Sequence, residues 1–383
     1  MNAISQPLRR ARLSSSPSQG EAGREWILPK PPPGLSLRGR GKVGGKMSDR
    51  LPVGKLEMDY LGQVLARYTQ VNERVVVGAA VGEDATVIDF GDRYLVAKTD
   101  PITFATEEIG WYAVNVNAND VAATGAVPRW FLATLLLPAG SADRAMVEGI
   151  FSQLSDACRQ LGVSLCGGHT EITYGLARPI VVGQMLGEVA RDRLVTTAGA
   201  QVGDDIILTK GIAIEATSII AWEKAGELAS RYPADFIGRC QDFLHQPGIS
   251  VVREAQIAAA QARVHAMHDP TEGGLAMGLR ELAQAAEVGL LVHRERIEVL
   301  PETILLCSDY GLDPLGIIAS GSLLIVLSPK DSGRVIEKLA EAGVEAAVIG
   351  QVVAREEGLK LITGGVARDL PYFERDEIAR LFE

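Results

Sequence analysis

Apolar and polar positions along the chain follow two periods. Leu61, Val64, Leu65 and Tyr68 recur at the three-to-four-residue spacing of a helix face. Residues 74–77 and 85–90 are β-branched runs, and Gly91-Asp92 marks a turn into a strand over 94–98. A helix is predicted from about Glu107, with Ile109, Tyr112, Ala113 and Val116 on one face and Gly125 as its stop. A strand over 129–137, a helix over 143–161, a short strand over 163–166 and a strand over 179–189 follow. The second half opens near Thr196 with a strand over 205–209, a glycine turn and a helix. Then come a helix over 251–262, a polar turn over 268–274 and a helix from Leu275. A strand over 322–327, a helix over 333–342 and a strand over 345–352 that closes the sheet complete the pattern. Both halves mix strands with helices, which predicts an α/β (α+β) chain of two domains, 47–192 and 193–370, with a tail over 371–383.

Composition agrees with that class. The 383 residues include 41 glycines, 47% are hydrophobic and 22% are charged, enough apolar chain for a sizeable core. Residues 1–46 differ from the rest: they hold six of the 18 prolines, including Pro31-Pro32-Pro33, and nine Lys or Arg against two Asp or Glu. The expectation there is a disordered or non-native extension ahead of a start at Met47. The remainder carries 29 basic against 46 acidic residues, a poor surface for nucleic acid and a suitable one for collecting divalent cations. The strongest apolar run, Phe131–Leu137, falls far short of the roughly 18–20 residues of a membrane helix, so no membrane partner is expected. Cys158, Cys166, Cys240 and Cys307 form no C-x-x-C pair and read as free buried thiols of a cytoplasmic protein.

Three clusters carry candidate chemistry. Asp84, Asp100 and Asp120 sit where strands end or a helix turns inward, and Asp120 with Asn115 and Asn119 interrupts a small, apolar helix. Buried carboxylates are normally paired, hydrogen-bonded or metal-bound, although a solvated helix end and two turn aspartates would give the same letters. Gly167-Gly168-His169-Thr170-Glu171 follows a strand, and paired glycines let a phosphate approach the backbone; a ligand-free turn reads the same way. His268-Asp269-Pro270-Thr271-Glu272-Gly273-Gly274 precedes a helix. Either it caps that helix, or Asp269 is a metal ligand and His268 handles protons beside a substrate.

The order of these pieces is more specific than any one of them. Gly-Glu-Asp-Ala at 82–85, Thr-Asp at 99–100, Asn-Asp-Val-Ala-x-x-Gly-Ala-x-Pro at 119–128, Gly-Gly-His-Thr-Glu at 167–171 and His-Asp-Pro-Thr-Glu-Gly-Gly-Leu at 268–275 resemble the aminoimidazole-ribonucleotide-synthetase (PurM-like) superfamily. The resemblance spans about Leu51 to Val353 and is strongest to HypE-like hydrogenase-maturation proteins. It implies an amino-terminal ATP-binding domain that pairs with a second copy into a β-barrel. It also implies Mg²⁺ held by Asp84, Asp100, Asp120 and Asp269, and phosphates positioned by Asn119 and, more loosely, Lys55. Gly167, Gly168, His169 and Thr170 would line the nucleotide cleft, and His268, Asp269 and Glu272 would handle substrate.

The function implied is ATP-dependent phosphorylation of a carbonyl, amide or carboxylate oxygen of a small molecule. Rival readings are a maturation factor acting on a cysteine of a partner protein, a non-catalytic nucleotide-binding regulator, and a kinase like thiamine-monophosphate kinase. HypE modifies its own terminal cysteine, whereas the last cysteine here is Cys307, so that self-modification is not expected on this chain. No cysteine precedes Cys158, which speaks against selenophosphate synthetase.

Overall fold

The computed structural model describes residues 51, 56–103 and 107–382; the extension expected at 1–46 and Lys55 lie outside the described residues. The amphipathic spacing after residue 57 gives helix α1 (Met58–Tyr68), and the valine run gives strand β1 (Val75–Val77). β2 (Thr86–Asp89) and β3 (Arg93–Ile102) form a hairpin whose turn holds Gly91 at φ 95°, its N–H donated to the Asp89 carboxylate at 2.8 Å. Then follow α2 (Ile109–Ala123), β4 (Val127–Pro138), α3 (Arg144–Leu161), β5 (Ser164–Thr173) and β6 (Ile180–Ala190). The Asp143 carboxylate caps α3 by accepting the Met146 N–H at 2.8 Å. The six strands lie in the order β1-β2-β3-β6-β4-β5, antiparallel except for β4 with β5.

Helix α2 is the axis of this half. It packs on β3 and β6 and against α3, and 14 of its 15 residues are buried, polar ones included. Gly183 and Gly187 of β6 make that approach possible, because a Cβ at either would collide with Asn117 or Val121 of the helix. Asn117 uses its burial fully. It donates to Ala113 O at 2.8 Å and Asp100 O at 3.3 Å, and accepts the Asp100 N–H at 2.8 Å, which pins β3 to the helix.

The second half contains β7 (Asp205–Thr209), α4 (Ile214–Glu223), α5 (Ala225–Leu228), α6 (Ala234–Gln241), α7 (Val252–Gln261), β8 (Val264–His268) and α8 (Gly274–Ala286). β9 (Gly289–His293), α9 (Pro301–Tyr310), β10 (Leu324–Leu327), α10 (Pro329–Glu341), β11 (Ala346–Val353), β12 (Leu359–Thr363) and β13 (Val366–Asp369) complete it. Its seven-stranded sheet runs β13-β12-β9-β11-β7-β10-β8, with β7 and β10 buried along their whole length. One apolar core is continuous from Val96, Ala113, Val121 and Phe131 to Ile207, Ile220, Ala258 and Ile325.

Four features differ from the sequence expectation. β3 runs on to Ile102, so Asp100 lies inside a strand rather than at its end. β5 reaches Thr173 and takes in the whole Gly167–Glu171 segment, which is therefore strand and not turn. β11 does not close its sheet; it lies between β9 and β7, and β12 and β13 follow it at the far edge. Of the four free thiols, Cys158, Cys240 and Cys307 are buried but Cys166 is exposed on β5.

Candidate functional site

Three carboxylates from distant parts of the chain converge. Asp84 precedes β2, Asp120 sits near the end of α2, and Asp269 follows β8; one oxygen from each lies within 4.8 Å of the others. Asp120 and Asp269 are only 5% and 2% exposed, and Asp120 Oδ2 and both Asp269 oxygens have no hydrogen-bond partner among the described residues. Orphaned buried carboxylate oxygens are costly in a sealed core. A small, all-oxygen donor set of this kind fits a hard divalent cation such as Mg²⁺. Burial lifts the Asp120 carboxyl well above the usual range despite Lys98, with Asp269, Asp100 and Asp84 pushing the same way. Burial, then the Asp84 charge, pushes Asp269 up to about 8.

Two cations flank the carboxylates. Lys98 on β3 places its ammonium 3.3 Å from Asp120 Oδ1 and 3.3 Å from Asp100 Oδ2. Burial alone would lower its pKa, but Asp120, Asp100, Asp84 and Asp269 together hold it above the ordinary lysine value. Asp100 thus joins the group through Lys98 and stands outside the close triad. His268 is buried between two acids, with Nδ1 2.9 Å from Asp84 Oδ1 and Nε2 3.0 Å from Glu281 Oε2 on α8. Burial disfavours the imidazolium, yet Asp84 and Glu281 outweigh it and hold His268 well above its ordinary value. With both ring nitrogens engaged, His268 orients Asp84 instead of presenting a free nitrogen to substrate.

The loop after Asp269 is held from the far end of the chain. The Asp376 carboxylate accepts the N–H groups of Gly273 at 2.7 Å, Ile318 at 3.2 Å and Ile378 at 2.9 Å. Glu272, on the same loop, is half-buried and its charge bears on Asp376 and Glu215.

The other candidates lie elsewhere. Asn119 is fully buried and turns toward the second half, donating to Ile249 O at 2.8 Å and accepting the Val251 N–H at 2.8 Å. Its amide ties the halves together, which corrects the expectation that it faces phosphate. Gly167, Gly168, His169 and Thr170 are exposed on edge strand β5. The register Asp100–Gly183–Ala133–Gly168 puts them three strand spacings, about 14 Å, from Asp100, so the fold does not bring them to the aspartates. Gly168 is glycine because a Cβ there would collide with Ala133 O, a demand of strand packing rather than of phosphate approach. His169 Nε2 lies 3.6 Å from Glu171. Lys98, Glu281 and Asp376 were not among the sequence candidates. Lys98 alone left a signal, a lysine two residues before the strand aspartate. No described helix is long and apolar enough to cross a membrane.

Known proteins match this chain in sequence and in fold. The model of the AIR synthase related protein N-terminal domain matches residues 82–189, and that of the C-terminal domain matches 201–361. A protein of Methanocaldococcus jannaschii, provisionally named a hydrogenase expression/formation protein, is 26% identical over 333 residues, covering 83% of this chain and 94% of its own. Carbamoyl dehydratase HypE of Azotobacter vinelandii is 30% identical over 260 residues, 67% of this chain and 73% of its own. The crystal structure of hydrogenase maturation protein HypE in complex with ATP matches with TM-score 0.64 at 23% identity, covering 82% of this chain and 91% of that one, and so shares the PurM-like fold. The two domain matches in sequence order, together with a 30% identical relative aligned over most of its length, show that the chain belongs to the AIR synthase related protein family.

Proposed function

We propose that this chain is an ATP- and Mg²⁺-dependent enzyme that phosphorylates an amide, carbonyl or carboxylate oxygen of its acceptor. The observation that carries the reading is the convergence of Asp84, Asp120 and Asp269, three of whose oxygens have no hydrogen-bond partner among the described residues. Those three side chains would hold the metal, with Asp100 reached through Lys98. When bound, Mg²⁺–ATP supplies the phosphoryl group and neutralises its charge. The protein's own part is positioning. His268 and Glu281 fix Asp84, Asp376 fixes the loop that carries Asp269, and α2 buries Asp120 away from competing water. The carbamoyl dehydratase relatives and the ATP-bound HypE structure support the ATP dependence and favour a carbamoyl amide as the acceptor.

The same reading makes the chain a homodimer through its first sheet, where Phe90, Trp130 and Ile172 are exposed. Asp120→Asn tests the site: calorimetry is expected to show Mg²⁺-dependent ATP binding in the parent protein and its loss in the variant, with the fold unchanged by circular dichroism. Equal affinity in the two would refute the assignment.

A further inference from the structure

Lys98 and Asp100 stand two residues apart on β3 and so share one face of the strand, the inward face with Val96 and Ile102. The Asn117 side chain fastens the Asp100 backbone to α2, and Asp120 lies about one turn further along that helix. A strand and a helix pinned to each other thus fix the Lys98 ammonium between Asp100 Oδ2 and Asp120 Oδ1, 3.3 Å from each. Asp120 therefore faces two ways. Its Oδ1 meets Lys98, while its Oδ2 has no hydrogen-bond partner among the described residues, and the same carboxylate belongs to the triad with Asp84 and Asp269. Asp100, a fourth metal ligand by the sequence expectation, stands outside that triad with its carboxylate turned to Lys98. The charges matter as much as the distances. With four carboxylates ionised around it, one divalent cation leaves two negative charges unbalanced, and Lys98 supplies one further positive charge in the same small volume. His268, the other cation here, is already matched by Glu281 as well as by Asp84.

We propose that Lys98 is a built-in cation that holds the place of a second divalent ion between Asp100 and Asp120, so that this chain loads one metal ion instead of two. The inference rests on the reading of the triad as the metal site, and it names the residue that sets how many ions the site takes. A lysine ammonium suits the part because it is a compact point charge. Cutting the side chain back to serine leaves both carboxylate walls with nothing between them. Mg²⁺ binds oxygens at about 2.1 Å, so each wall then needs to close by only about 1 Å to hold an ion. Methionine, by contrast, fills the same volume without the charge and leaves no room for one. The side chain thus excludes a second ion by occupancy and replaces it by charge, and the serine and methionine variants separate the two.

Ion counting on the full chain tests this. Parent, Lys98→Ser and Lys98→Met are dialysed against Mn²⁺ without nucleotide. Bound ions are counted by atomic absorption above the level of Asp120→Asn, which lacks the carboxylate shared by both places. One ion is expected on the parent, one on Lys98→Met and two on Lys98→Ser, with a spin-coupled Mn²⁺ pair in the paramagnetic-resonance spectrum of the serine variant alone. Adding Asp100→Asn to Lys98→Ser is expected to return the count to one and abolish the coupling. If Lys98→Ser does not fold without metal, it is expected to refold in excess Mn²⁺ with two ions bound, and failure to fold there overturns the proposal. Two ions on the parent, no gain from parent to Lys98→Ser, or a second ion that survives Asp100→Asn overturns it as well. A parent without Mn²⁺ beside a serine variant with one ion removes the triad reading and leaves the Lys98 place standing. One ion on both removes this inference alone.

Discussion

Lys98→Met separates electrostatic from packing roles in the aspartate cluster. The Lys98 ammonium lies 3.3 Å from both Asp120 and Asp100, with its side chain 20% exposed. At an effective dielectric constant of about 20, each contact is worth about 5 kcal/mol before desolvation. Removing one member of a buried pair costs about 3–5 kcal/mol, because the remaining charge is left uncompensated. Taking about 3 kcal/mol and about 2 °C per kcal/mol for a chain of this size, metal-free Lys98→Met is expected to melt about 6 °C below the parent. Mg²⁺ among the aspartates restores the missing positive charge, so the gap is expected to shrink to about 1 kcal/mol with the metal present. The thermodynamic cycle then requires the variant to bind Mg²⁺ more tightly by about 2 kcal/mol, or about 30-fold. Thermal unfolding in chelator and in excess Mg²⁺, with calorimetric Mg²⁺ titration, measures both quantities. A melting gap that is the same with and without Mg²⁺, or no gap at all, would refute the reasoning and leave Lys98 as packing only.

Further outcomes follow from other parts of the structure. Asn119→Ala strands the Ile249 carbonyl and the Val251 N–H in the core and is expected to cost about 2–4 kcal/mol in denaturant titration; a loss below about 1 kcal/mol would contradict the tie. Gly168→Ala forces a Cβ into Ala133 O and is expected to release β5, seen as faster amide exchange over 164–173 with α2 protection unchanged. Glu215 has its folded pKa raised from 4.5 to about 7, so the folded state favours the protonated carboxyl. Its contribution to stability is therefore present below about pH 4.5 and lost as pH rises to about 7. The neutral Glu215→Gln removes that loss and is expected to be about 3 kcal/mol more stable than the parent at pH 8 and equal to it at pH 4. Parallel pH profiles for the two proteins would show that Glu215 does not titrate in the fold.

Legibility in the sequence tracked whether a residue's surroundings were local. The helix from Ile109 and its buried Asp120 were visible because a carboxylate in an Ala/Val-rich helix is locally anomalous. β7 was visible as an apolar run between turn residues. β5 was underestimated because its outer half is an exposed edge, polar on both sides, which carries no apolar alternation. The glycine pair inside it reads locally as a turn, with or without a ligand, whereas the demand on Gly168 comes from β4, more than 30 residues away in sequence. Asn119 and Asp120 are adjacent letters with opposite destinations: the helix turns one toward the loop at 249–251 and the other toward Asp84 and Asp269. Glu281 and Asp376 left no trace, because their partners lie at 268 and at 273 and 318, and only the folded chain brings them together.

The clasp formed by Asp376 has a bearing on biogenesis. Parts of the pocket emerge from the ribosome early, with Asp84, Lys98 and Asp120, yet the segment that steadies the Asp269 loop is translated more than a hundred residues after it. A nascent chain therefore carries its acidic half-pocket exposed for most of its synthesis. Such long-range closure is intrinsically slow, so the Asp269 loop is set in place only after nearly the whole polypeptide has been made.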